Sequence, residues 1–103
     1  MTATLYNPEQ PAQSVLTEGL GLVDFMKGYI HGGGLVAKLL RTVPELVDVL
    51  ASGPGYLVFS VFDHAGQANP AAMQVVASLT GIELDPDNED EVLRGPILVI
   101  QRR

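Results

Sequence analysis

Two nearly uninterrupted apolar runs constrain this chain most: residues 56–62 (YLVFSVF) and residues 97–101 (ILVIQ). Both are short, rich in β-branched and aromatic residues, and bounded by turn formers, so each predicts a strand; the lack of alternation in the first suits a strand covered on both faces. Gly53, Pro54 and Gly55 introduce the first run and Pro96 the second, and Ser60 is the one polar residue inside the first. Between the runs, Asn69-Pro70 has the form of a helix start, an N-cap side chain followed by a proline with φ already set. Ala72, Val75, Val76 and Leu79 recur on one face of that helix, and Gly81 stands where a left-handed C-terminal residue is wanted. Strand, helix and strand in this order form a right-handed crossover, so the two strands are expected to be parallel.

Upstream, residues 2–6 predict a short strand, and Pro8 and Pro11 make residues 7–13 an extended connector. Apolar positions 15, 16, 20, 22, 23, 26, 29 and 30 recur at helical spacing, with Ser14 available as a cap. Gly19, Gly21 and Gly28 each cost such a helix about 1 kcal/mol, which moves its expected start toward Leu22. Gly32, Gly33 and Gly34 then stop it. The apolar stripe resumes at 35, 36, 39, 40, 43, 46, 47 and 50, with Lys38, Arg41, Glu45 and Asp48 on the other side. Thr42 to Glu45 has capping-box form, so this second stretch is expected as one helix or two short ones meeting near Thr42. The expected fold class is therefore α/β: one domain over residues 1–103, with a small, mostly parallel three-stranded sheet in β-α-α-β-α-β order, packed with helices.

Composition narrows the functional classes. Apolar residues make up 47% and charged residues 17%, against a usual charged share of about 25%, which describes a globular domain rather than a disordered polyelectrolyte. Cysteine is absent, so disulfides, thiolate nucleophiles and Cys-based metal sites are excluded. No secretory leader pattern opens the chain and no apolar run approaches the ~18 residues of a membrane span, so the expected setting is the cytoplasm, away from membranes. The net charge of −6 is local: Glu83, Asp85, Asp87, Glu89, Asp90 and Glu91 fall within nine positions, and the rest of the chain balances six acids against six bases. Only Arg102 and Arg103 cluster as bases, which speaks against binding a phosphate backbone.

Candidate chemistry is sparse. The segment His31-Gly32-Gly33-Gly34 resembles the glycine-rich oxyanion motif of lipase-like hydrolases. The chain lacks the G-x-S-x-G elbow that such an enzyme needs, and three glycines equally serve a chain reversal. Asp63 and His64 follow the expected central strand, where open α/β sheets place ligands, and Asn69 at the next helix start adds amide donors that favour an anion. Adjacent residues of an extended segment point to opposite sides, so Asp63 is poorly placed to orient His64; His31 is a further candidate to approach them. Two histidines 33 positions apart carry no zinc spacing, and the acidic run departs from a calcium loop at Asp90 and Pro96, so no metal and no cofactor are expected.

The acidic run also has a local structural reading. Asn88 and Glu91 have the spacing of a cap and its reciprocal carboxylate, and Gly95 can end the turn. Glu89, Asp90 and Glu91 would then occupy a first helical turn, anchored by Val92 and Leu93. The leading functional expectation is a non-enzymatic interaction or regulatory module, with Glu83, Asp85, Asp87, Glu89, Asp90 and Glu91 facing a basic protein partner. Open sheet edges and the high apolar content add an expected homodimer. The competing expectation is a small-molecule binder or enzyme using Asp63, His64 and His31.

Overall fold

Five strands form one sheet in the order β2-β1-β7-β6-β5, every neighbouring pair antiparallel. They are β1 (Thr2–Tyr6), β2 (Gln13–Val15), β5 (Val47–Gly53), β6 (Tyr56–Val61) and β7 (Ile97–Gln101). A separate hairpin pairs β3 (Leu22–Asp24) with β4 (Tyr29–His31), and the helices are α1 (Gly34–Leu39) and α2 (Pro70–Thr80). This computed structural model describes residues 1–31 and 34–102, without the side chains of Tyr29 and His31. Among them, no helix is long and apolar enough to cross a membrane.

The expected mostly parallel three-stranded α/β sheet is thus replaced by an antiparallel five-stranded one. Residues 56–61 and 97–101 are strands as expected, while Phe62 turns out of the first run and is exposed; the interiors of both strands are covered on both faces. Leu57, Phe59, Leu98 and Ile100 pack with Leu20, Phe25, Val36 and Leu40 on one side, while Val58, Ile97 and Val99 pack with Ala72 and Val76 of α2 on the other. A continuous apolar run reports two covered faces and carries no information about strand direction.

Direction is decided by the connection. α2 runs back along the sheet, and residues 82–94 then travel the same length in reverse, so the start and end of the connection meet. Ala68 bridges Arg94, Asn69 N–H donates to Leu93 O at 2.8 Å, and Gly95 N–H donates to Gln67 O at 3.0 Å. β7 therefore begins at the end of the sheet where β6 finishes. A helix alone would have made the pair parallel; the acidic segment, acting as a return strap, makes it antiparallel.

The two helices expected over residues 15–50 also give way, and for identifiable reasons. Gly19, Gly21 and Gly28 have φ of 84°, 88° and 74°, values that no right-handed helix contains. The β3–β4 turn is closed by Gly28 N–H to Asp24 O at 2.9 Å, and Asp24 Oδ1 accepts from Met26 and Lys27 N–H. Phe25 is buried beneath this turn whereas Leu22 and Met26 are 71% and 93% exposed, a distribution set by the hairpin and unrelated to helical period.

The second stretch is helical only through Leu39. It ends in a Schellman arrangement, with Thr42 N–H donating to Ala37 O, Arg41 N–H donating to Lys38 O, and Arg41 at φ 56°. A 3-10 turn at Pro44–Leu46 follows, with Val43 rather than Thr42 at its N-cap position and no side-chain hydrogen bond there, and residues 47–50 enter β5.

α2 matches its sequence signals: Asn69 caps it, Pro70 opens it, and Gly81 ends it at φ 75°. The helix expected after Asn88 shrinks to one turn, in which Glu91 and Val92 N–H reach Asn88 O. Arg102 places its guanidinium 5.1 Å from the Phe25 ring centroid, a cation–π contact within the fold. Arg103 lies outside the described residues.

Candidate functional site

A cavity of about 500 Å³ opens on the α2 side of the sheet, at the end where β6 finishes and β7 begins. This size is typical of ligand pockets. Its floor is the sheet: Asp48 and the bulged Leu50 from β5, Ser60 from β6, and Ile97 from β7. The loop after β6 supplies one wall through Phe62, Asp63 and His64, and the return strap supplies the other through Glu89, Val92 and Arg94.

Both loop residues expected at a site line this cavity, although β6 is the penultimate strand and β7 the central one. Asp63 is exposed and sits at φ 53°, a left-handed turn position that aspartate tolerates. His64 is half-buried. Gly66 N–H donates to its Nδ1 at 2.9 Å, so the neutral ring carries its hydrogen on Nε2.

The ring is framed by two glycines. A Cβ on Gly66 would lie 2.4 Å from His64 Cε1, and one on Gly95 would lie 2.6 Å from the same atom. The imidazole is thus held by packing and by a backbone donor, and no carboxylate among the described residues hydrogen-bonds to it. The side chain of His31 and residues 32–33 lie outside the described residues, so the juxtaposition expected for His31 lies there too; its backbone pairs with Leu22.

Asn69 plays another part than anion donor. It is 1% exposed, and its Nδ2 donates to Tyr6 O at 2.9 Å and to Gly95 O at 2.8 Å while its Oδ1 accepts from Ala72 N–H. These bonds tie together the end of β1, the start of α2 and the entry to β7.

Of the six clustered acids, Glu89 alone reaches the cavity. It forms an ion pair with Arg94 at 2.7 Å, and the Arg94 guanidinium also donates to Gly66 O at 3.0 Å. Asp85 accepts from Asp87 N–H and Glu91 accepts from Asn88 Nδ2, so both shape the strap. Glu83, Asp87 and Asp90 are exposed along it. No group of three histidine or acidic side chains among the described residues could hold a metal ion.

Ser60, Asp48 and Arg94 are the cavity residues that periodicity concealed. Helical spacing places Asp48 on the wet side of a helix, whereas its register partner in the sheet is Ser60. The usable signal was Ser60 itself, a lone hydroxyl in an apolar strand. It is 8% exposed, and its hydroxyl forms none of the side-chain hydrogen bonds of the surrounding loops. Every fully enclosed side-chain polar atom among the described residues has a partner, so this hydroxyl owes its remaining accessibility to the cavity. No hydrogen bond joins Ser60 to His64, which separates the arrangement from a nucleophile and base pair.

A second feature borders the cavity. β5 ends the sheet, and its outer edge has no partner strand among the described residues. Val49 and Leu50 of β5 are exposed, as are Val43 and Leu46 just before it and Phe62, whose N–H donates to Leu46 O at 2.8 Å. Val49 shares a face with Phe59 whereas Leu50 and Phe62 stand on the cavity side, so exposed apolar side chains flank the edge on both faces. The carboxylates of Asp48, Asp63 and Glu89 line the adjoining cavity. No protein-family model matches this chain, and no curated protein or solved structure resembles it significantly.

Proposed function

We propose that this chain is a cytoplasmic, non-enzymatic interaction module that captures an extended segment of a partner protein along the β5 edge. The exposed apolar residues Leu46, Val49, Leu50 and Phe62 along an unpaired edge strand carry this reading. Strand addition derives affinity from backbone hydrogen bonds and selectivity from pockets beside the edge. β5 offers seven residues, whereas the opposite edge, β2, offers three. The carboxylates of Asp48, Asp63 and Glu89 beside this edge favour a segment that alternates apolar with basic residues, and they oppose pairing of β5 with a second copy of itself.

Selection of a random displayed peptide library on the immobilised domain tests this. Enriched sequences should alternate apolar and basic residues, bind more weakly as salt rises, and shift the amide resonances of β5 and Phe62. Val49→Lys, which places a charge on the edge, should weaken them tenfold or more. Equal enrichment on the Val49→Lys variant, or shifts confined to β2, would overturn the reading. Sedimentation of the free domain covers the homodimer: a stable dimer lost in the Val49→Lys variant would make a second copy the occupant.

A further inference from the structure

We propose that the cavity between β5, β6 and the return strap is a subsite for an organic cation, the guanidinium or ammonium of a basic side chain on the captured segment. The inference rests on the interaction reading above and adds the chemistry of its specificity pocket. Three carboxylates line the cavity, Asp48, Asp63 and Glu89, against the single guanidinium of Arg94. Arg94 is already engaged by Glu89 and by Gly66 O, so it does not recruit an anion. The remaining excess of negative charge favours a cation.

Ser60 supplies an independent observation. Its side chain is 8% exposed, forms no hydrogen bond among the described residues, and lies in the cavity floor on the face it shares with Asp48. Its hydroxyl keeps access to solvent through the cavity, so an entering N–H donor can take the place of water there. An N–H donor entering over Leu50, with its alkyl stem against that side chain and Phe62, would meet the hydroxyl at the bottom and carboxylates at the rim. Long basic side chains bury apolar stems in this way while their heads find polar partners. Asp48 and Leu50 belong both to the β5 edge and to the cavity, so a segment paired with β5 can drop one side chain into it.

Titration of the full chain with n-butylguanidinium, n-butylammonium and butyrate, followed by two-dimensional NMR, tests the subsite directly. The two cations should shift the resonances of Asp48, Ser60 and Glu89 with millimolar affinity that weakens as salt rises, and butyrate should leave them in place. Asp48→Asn, on the exposed side of an edge strand, and Ser60→Ala should each weaken cation binding at least threefold without altering the rest of the spectrum. Equal binding of butyrate, or no response to either cation, would overturn the proposal. Failure of the two readings is distinguishable: selected peptides that bind equally well after each basic residue is replaced by norleucine remove the subsite and leave the edge. Butylguanidinium binding without any enriched peptide removes the edge and leaves the subsite.

Discussion

Replacing Asn69 with alanine is expected to lower the unfolding free energy by roughly 3–5 kcal/mol, a large share of what a domain of this size has. The side chain is 1% exposed and makes three hydrogen bonds, two donated to Tyr6 O and Gly95 O and one accepted from Ala72 N–H. Loss of the cap alone costs about 1 kcal/mol. The two carbonyls that lose a donor cost about 1–3 kcal/mol each.

Two further variants separate these contributions. Asn69→Ser retains a capping oxygen and should recover about 1 kcal/mol of the loss, whereas Asn69→Asp turns an acceptor toward two carbonyls and should be no more stable than alanine. Urea denaturation with an unchanged slope measures all three. A loss below 1 kcal/mol for the alanine variant would show that β1, α2 and β7 are held together by packing without this latch.

The second large effect belongs to Gly95. Gly95→Ala is expected to cost about 2–4 kcal/mol, combining left-handed backbone strain with overpacking against the His64 ring. Gly95 has φ 74°, and a Cβ there would lie 2.6 Å from His64 Nδ1 and 2.7 Å from Cγ. Gly81 is an internal control, because it has φ 75° and nothing within 4 Å of the added carbon. Gly81→Ala should therefore show the backbone part alone, about 1–2 kcal/mol.

In a His64→Ala background the cost at Gly95 should fall to that same value. The double-mutant cycle then reports a coupling of about 1–2 kcal/mol between the two sites. Equal costs at Gly81 and Gly95 in the wild-type background would mean that the loop carrying His64 yields freely. A loop that yields so easily would be a poor wall for the cavity.

Local signals in this sequence were legible wherever they were sufficient by themselves. Residues 2–6, 56–61 and 97–101 are strands, and Asn69, Pro70 and Gly81 mark α2, because β-branched runs and caps act through neighbouring backbone. Residues 15–30 carry apolar residues at helical spacing, but three glycines in the left-handed region interrupt them. In a helix those positions are forbidden rather than costly, and the same apolar residues fit a hairpin with Phe25 turned inward and Met26 outward. Residues 43–50 likewise show helical spacing in a segment whose second half is a strand. Val47 and Val49 lie on one face of β5 by alternation, and a bulge at Leu50 disturbs the period of two that would have announced it.

The cavity was half legible. Asp63 and His64 follow a strand, and strand ends are where loops gather polar groups, so their place could be read from the chain. Asp48, Ser60 and Arg94 could not be grouped with them, because they come from β5, β6 and the end of the return strap and meet through sheet register and strap closure.

By itself, then, the sequence determined which segments are strands at the centre of the sheet, where α2 begins and ends, and that the acidity is confined to one stretch. Only the tertiary structure decided strand direction, sheet order and the use of that stretch. An apolar run states that both faces of a strand are covered, and a cap states where a helix starts; neither states how far the chain travels before the next strand. Residues 82–94 supply that distance, and by carrying the chain back to where β6 ended they turn an expected parallel pair into an antiparallel one and build the second wall of the cavity.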